Sequence, residues 1–527
     1  MALVKQKIKP ASPSSLEDAL ADYAKEQEKL LGLDQNNIDH WFDPVPRRFL
    51  AKDKAATTIL FGGMTIAQDY LAEGALKGLG YRVQHLPCPD NESLRYGKEF
   101  GNRGQCNPTY FTVGNLIKHL LYLRDAEGKS KEEIIENYLC VTIGSCGPCR
   151  FGAYVTEYRK ALHDAGFGGF RVLLFQQTDG LKQAAGGESA LKLNASFVIA
   201  IMKAILCGDI LNALSNRIRP YEVKPGITDA AMERCKTYIY KALSERKPLI
   251  PALAKCRKEM QAIPVDRTRV KPKVSMIGEF WAMTTEGDGN YELQRFLESE
   301  GAEVEVQPIA AWVLFLVWAG RFDTMKRIDL RKADSGKYGL KGKKPHARLR
   351  MLWLADRAIR MMFHTFARTM GLRQYHLPDM EEIARVANKH YDNQIRGGEG
   401  HMEVGKLIWN IVKRKAHLTI SVKPFGCMPS SGVSDGVQSL ITEKYPGALF
   451  LPVETTGDGA INIYSRVQMM LFKAKQAAQK EFEEALVRKN LSEGQVGELR
   501  KAPRFADPLR SSRHVVACTA ANEVYEL

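Results

Sequence analysis

The sequence predicts an α/β protein with two to three Rossmann-like domains, doubly wound around mainly parallel sheets and joined by a helical connecting segment. Three observations carry this. Short β-branched runs alternate with helical stretches, and the rhythm recurs three times along 527 residues. The strands are separated by whole helices, which a parallel crossover requires. Loops rich in Gly, Pro and Cys stand where strands end or helices begin, the edge at which open α/β sheets hold ligands.

Residues 1–50 form an N-terminal helical extension. SLEDALADYAKEQEKLLG (15–32) has a Ser cap, early acids, helically spaced apolar residues and a Gly stop. The first α/β domain spans 51–185. Its strands are TTILFGG (57–63), YRVQHLP (81–87), YLCVTIG (138–144) and RVLLF (171–175), with helices at 67–80, 113–126 and 151–166. A helical segment follows at 186–268. The second α/β domain, 269–410, opens with VKPKVSMIGEF and continues through NYELQRFLESEG (290–301) and AEVEVQP (302–308). It carries a basic insertion at 331–350. A third β–α–β piece, 411–489, contains AHLTISVKPFG, SGVSDGVQSLITEKY and ALFLPVE, then a long helix from about Ile461. A basic tail, 490–527, is expected to be loosely held.

The hydrophobic content, 45%, is that of a globular protein. MALVKQKIKPASPSS lacks the apolar core of a secretory signal. FVIAIMKAILCGDILNAL (197–214) contains Lys203 and Asp209, and IAAWVLFLVWAG (309–320) is too short to span, so both read as core helices and no membrane span is expected. Ten cysteines without a secretion signal fit a reducing cytoplasm better than a disulfide scaffold. The net charge is +16, concentrated in 331–350 and beyond residue 470. No nucleic-acid motif accompanies it, and the basic run lacks the interleaved aromatics of a stacking platform, so no nucleic-acid partner is expected. The run reads as a solvated loop, or as a docking site for an acidic partner or an anionic substrate.

Chemistry concentrates at three cysteine loops. Cys106 lies in GNRGQCNPTYF, ahead of a helix. Cys146 and Cys149 form CGPC after a strand. Cys427 lies in VKPFGCMPSS, also after a strand. Such loops fix thiolate directions, and backbone N–H groups at the following helix start are expected to lower thiol pKa. Four thiolates from three loops match the count of a [4Fe–4S] or zinc centre. Zinc is less favoured, because structural zinc uses two close pairs and only one is present. A thioredoxin-like pair would sit in its own small domain, whereas CGPC belongs to a larger set. Cys207, Cys235, Cys256, Cys140 and Cys518 read as packing residues. Cys88, in LPCPD, is a candidate extra ligand.

GHMEVGKL (400–407) fits G-x-x-x-x-G-K but lacks the Ser/Thr and the preceding strand of a P-loop, so it is rejected as one. RGGEGHME gathers Arg396, Glu399, His401 and Glu403. It is either a helix start with an acidic first turn or an acid/base site with Glu399 and His401 as the catalytic candidates. Glu454 and Asp458 in ETTGDGA either cap a helix or line the crevice near Cys427.

In order, GQCNPTYFTVGNLI, CGPCRFGAYVTEYRKALHDAGF, VSMIGEFW, RGGEGHMEVGK, PFGCMPSSGVSDGVQSL and LPVETTGDGAINIYSRVQ resemble the 2-hydroxyacyl-CoA dehydratase superfamily, specifically its activase-related, double-cubane-cluster branch. The resemblance covers about residues 55–475. It implies Rossmann-like domains that hold an iron–sulfur cluster where they meet. It also implies single electrons delivered by a separate ATP-dependent iron–sulfur activator of actin/Hsp70-type fold. Cys106, Cys146, Cys149 and Cys427 fall on the motif cysteines and are the implied ligands of a [4Fe–4S] cluster; a larger double-cubane cluster needs more ligands. Glu279 falls in IGEFW, to which the resemblance attaches no role. The family's dehydratases act on 2-hydroxyacyl-CoA, and relatives with larger clusters reduce small molecules, so an acyl-CoA is the candidate substrate; a dimer or larger complex is expected.

The resulting expectation is a cytoplasmic iron–sulfur reductase or dehydratase-like lyase that uses low-potential electrons for reductive or radical dehydration. The alternatives are a non-catalytic electron-transfer or accessory subunit and a zinc-stabilised scaffold.

Overall fold

The computed structural model describes residues 13–30, 49–144, 149–176, 191, 194–328, 344–395, 398–432, 436–499 and 505–527. The chain divides into two units, Met1–Val45 and Pro46–Leu527. In the first, α1 (Pro13–Leu30) is the helix expected at 15–32.

The second unit contains two four-stranded parallel sheets among the described residues. The first joins β1 (Thr58–Phe61), β2 (Val83–His85), β3 (Tyr138–Gly144) and β4 (Arg171–Gln176) in the order β2-β1-β3-β4. The second joins β5 (Lys273–Gly278), β6 (Glu303–Val306), β7 (Leu418–Pro424) and β8 (Leu449–Thr455) in the order β6-β5-β7-β8. Helices cover both faces of such sheets, so their inner strands read as apolar runs. All seven positions of β7, LTISVKP, are buried. In each sheet the strand order reverses beside the first strand, which makes a switch point between β1 and β3 and another between β5 and β7.

Three expected boundaries change. The piece at 411–489 is not a third domain, because β7 pairs along β5 from Val274↔Leu418 to Gly278↔Val422. Without it β5 would be an open edge inside the protein. The helical segment is also not self-contained. The helices α6 (Ala195–Ile218), α7 (Ile227–Ser244) and α8 (Leu249–Gln261) share one core with α10 (Ile309–Lys326) and α11 (Pro345–Met370), through Leu206, Ile210, Cys235, Cys256, Leu314 and Phe363. The stretch Ala195–Tyr221 is long and apolar enough to cross a membrane by length and composition, and 56% of its apolar window is buried in this core.

The tail is the third change. Within 505–527, Val516, Cys518, Ala521 and Val524 pack against Ala478 and Phe482 of α13 (Ala460–Lys489). The last helix, α14 (Thr519–Tyr525), is tied to β6 by Thr519, whose hydroxyl donates to Glu303 at 2.6 Å. Apolar residues at helical spacing in VVACTAANEV outweigh the basic composition that precedes them. Most of the basic insertion lies outside the described residues, and its end, from Pro345, forms the first turns of α11.

In the first half, α2 (Ile66–Gly78) follows β1, while α3 (Asn91–Phe100) and α4 (Asn107–Asp125) lie between β2 and β3. After β3 comes α5 (Tyr154–Leu162). In the second half, α9 (Phe280–Thr284) follows β5 and α12 (Gly400–Val412) precedes β7. The segments after the strands of one sheet meet those of the other. Ile66 N donates to Glu286 at 2.7 Å, Asn91 N to Asp288 at 2.8 Å and Asn107 N to the Phe425 carbonyl at 3.1 Å. The two C-terminal sheet edges therefore enclose one crevice.

Candidate functional site

The Cys106 loop and the Cys427 loop meet in this crevice although more than 300 residues separate them. Cys106 is the N-cap of α4, with Pro108 in the first helical turn. Gly426 turns the chain after β7 with φ 78°. A side chain there would be strained, and its Cβ would lie 3.3 Å from Cys106 Cα. Glycine thus permits both the turn and the close approach. Cys149 caps the turn Arg150–Ala153, ahead of α5. Cys146 lies outside the described residues.

These thiols are largely buried, and two buried carboxyls, Glu279 and Glu399, act on Cys149 and Cys427. Cys106 Sγ lies 3.1 Å from Tyr154 Oη and 3.2 Å from Thr109 Oγ1. Burial pushes the Cys149 thiol up to about 11; Glu279, Glu399 and Cys106 push the same way, against the Phe151 N–H. Burial likewise raises Cys427, helped by Glu279 and Glu399 and opposed by Ser430. The expected lowering of thiol pKa at helix starts does not occur at Cys149 and Cys427, because desolvation there outweighs the nearby backbone N–H groups. This disfavours a reactive dithiol, which needs a stabilised thiolate.

Glu279 follows β5 and caps α9, where its Oε2 accepts from Ala282 N at 2.8 Å. Glu399 Oε1 accepts from Phe280 N at 2.9 Å. The two carboxyls thus share the start of one short helix. Burial raises Glu279 to about 7, and Glu399 adds to the shift. Burial raises Glu399 as well. Sequence reasoning gave Glu279 no role; the signal for it was its position directly after a strand that ends in glycine.

The remaining candidates separate from this cluster. The His401 ring packs on Trp318 and Phe315, with centroids 4.5 and 5.1 Å apart, on the α10 side of α12. Glu403 accepts from Ser430 Oγ at 2.9 Å, behind the Cys427 loop. Arg396 lies outside the described residues. Glu454 is exposed, and Asp458 accepts from the Thr456 hydroxyl at 2.6 Å; neither caps the following helix, whose N-cap is Gly459. Cys88 sits on the other flank of the crevice, 3.8 Å from Thr285 Oγ1. Cys140, Cys207, Cys235, Cys256 and Cys518 are buried in the cores. A polar cavity between Thr65, Asp209, Glu286 and Tyr375 has room of about 30 Å³, roughly one water. A wide groove of about 1010 Å³ lies beside Trp318, where Lys326, Arg385 and Lys389 alternate with Asp379, Glu381 and Glu382.

Comparison of the sequence with known protein families and with curated proteins returns no match. The geometry therefore carries the assignment. Among the described residues, no three His, Cys, Asp or Glu side chains stand close enough to share a single metal ion. The donor set still suits an iron–sulfur centre chemically: thiols are the ligands such clusters use. The Asn107 side-chain N–H group, next to Cys106, is buried without a protein acceptor. A donor in that position matches the hydrogen bonds that cluster sulfurs accept.

Proposed function

We propose that this chain is an iron–sulfur protein of the 2-hydroxyacyl-CoA dehydratase type. It would work in the cytoplasm, taking low-potential electrons from a separate ATP-dependent activator for reductive or radical dehydration of an acyl-CoA. The observation that carries the reading is the meeting of the Cys106, Cys149 and Cys427 loops at the facing switch points of two parallel sheets, where burial raises the Cys149 and Cys427 thiols.

Cys106, Cys149 and Cys427, together with Cys146, would hold a [4Fe–4S] cluster, which when bound supplies one-electron chemistry. The protein's own groups set the conditions around it. Tyr154 hydrogen-bonds to Cys106 and so adjusts the electron density on that sulfur. Glu279, with its carboxyl near 7, can hold or release a proton at working pH. Ile143, Phe425 and Met428, each more than half exposed, rim the cysteine loops and offer an electron donor an apolar contact.

The test is replacement of Cys427 by Ser, followed by iron and sulfide analysis under anaerobic conditions. Loss of most of the iron supports the reading. Iron content equal to that of the unsubstituted protein refutes it.

A further inference from the structure

The helix α11 carries five arginines and a single acid in its 26 residues. One side of it belongs to the core: Ile359, Phe363, Phe366, Ala367 and Met370 are buried in the cluster shared with α6, α7 and α8. On the opposite side, Arg350, Leu354, Arg357, Met361 and Arg368 recur at helical spacing and form one line along the axis, flanked by Met351 and Trp353. Met351, Trp353, Leu354 and Met361 are 48–68% exposed, and the three arginines of the line are exposed with them. One exposed Leu needs no explanation, but four large apolar side chains within about three helical turns form a patch.

The acid does not neutralise this line. Asp356 accepts from Arg360 Nε at 3.0 Å, and Arg360 also donates to the Leu377 and Pro378 carbonyls. That pair is internally balanced and held against the protein, so the outward line stays cationic. The Arg357 guanidinium lies 5.5 Å from the centre of the Trp353 ring, which sets charge and indole side by side.

We propose that this face of α11 docks the protein on an anionic lipid surface, with the helix lying in the plane of the headgroups. Lipid phosphates accept from the guanidinium groups, whose stems reach past the apolar side chains. Trp353, Leu354, Met351 and Met361 enter the headgroup boundary. The arginines exclude a spanning role. A second copy of the chain would bring the same arginines together with no acid to meet them, since a two-fold interface sets like patch on like patch. An acidic protein would need groups that fix its register. The helix has no Asn, Gln or Ser, and its exposed Thr365 hydroxyl donates to the Met361 carbonyl at 2.9 Å. A fluid lipid surface needs no register. Nothing in this assignment draws on the cysteine loops.

The test is co-sedimentation of the full chain with vesicles of equal parts phosphatidylglycerol and phosphatidylcholine, and with vesicles of phosphatidylcholine alone. Binding is expected to the first and not to the second. R350Q/R357Q should bind about 30-fold more weakly, at about fivefold per arginine. L354Q/M361Q, which changes no charge, should also weaken binding. K473Q/K475Q removes two exposed charges from α13 instead and should bind like the unsubstituted protein. Equal weakening by the arginine and lysine pairs reduces the effect to the net charge of +16 and overturns the proposal. No effect of L354Q/M361Q overturns insertion of the apolar side chains. No binding to either vesicle also overturns the proposal and leaves the face to an acidic protein.

Discussion

Replacing Gly114 by Ala tests how the fold delivers Cys106 to the crevice. Gly114 lies in α4 where that helix crosses α3. A Cβ there would sit 1.8 Å from the Ser93 carbonyl oxygen and 2.5 Å from Gly97 N. Both are backbone atoms, so no side-chain rotation relieves the overlap. Gly97 meets the Tyr110 carbonyl in the same way, at 1.9 Å, so the crossing depends on glycine from both sides. Two effects oppose each other. Alanine in a helix interior is favoured over glycine by about 1 kcal/mol. Overpacking a tight contact costs about 1–3 kcal/mol, and a backbone clash belongs at the upper end. The net expectation is a loss of about 2 kcal/mol, or, at about 2.1 cal/mol/K per residue over the unit Pro46–Leu527, a melting temperature lower by about 2 °C. Because α4 begins at Cys106, parting the helices also shifts Cys106 against Phe425, and iron content should fall with stability. Thermal melting and iron analysis of anaerobically purified G114A read both effects. A variant that melts higher than the unsubstituted protein, as helix propensity alone dictates, refutes the close crossing.

The other predictions concern charge, hydrogen bonding and the ligand set. Burial pushes the Glu303 carboxyl up, but Lys273, Thr519 and Tyr221 more than offset it and hold it at about 2, against an ordinary 4.5. A carboxyl depressed in the folded state contributes stability that is present above pH 4.5 and lost as the pH falls towards 2. That contribution is about 3 kcal/mol, so E303Q should flatten the acid limb of a stability–pH curve, and an unchanged limb contradicts the anchoring of the C-terminal helix. Y154F removes the hydrogen bond to Cys106 and should lower the midpoint potential in a redox titration; no shift, or a rise, removes Tyr154 from the site. C88A should leave the iron content unchanged, since Cys88 faces Thr285 on the far flank; loss of iron would bring it into the ligand set.

The sheets were legible because their strands are short apolar runs between helical stretches, and each expected strand forms. The domain count was less so. Nothing local in LTISVKP tells whether it starts a new sheet or completes an old one, since β7 joins β5 across more than 130 residues. The tail misled through composition: up to Arg513 it is polar, with Arg and Lys outnumbering Asp and Glu, while the few residues that pack, Val516 to Val524, are a small share of it. At the site, the Gly and Pro flanking Cys106 and Cys427 marked the loops that converge. Glu399 was visible as a candidate at a helix start, but its partner Glu279 was not, because pairing of two buried carboxyls is a property of the tertiary structure. His401 looked equivalent to Glu399 in sequence, yet two residues along a helix turn it by about 200°, into the aromatic layer of α10.

The central claim is tested most directly by iron, sulfide and zinc analysis of anaerobically purified protein, combined with EPR before and after reduction. The account predicts a brown protein with about four irons and matching sulfide per chain, EPR-active when reduced. A colourless protein with stoichiometric zinc and no sulfide contradicts it.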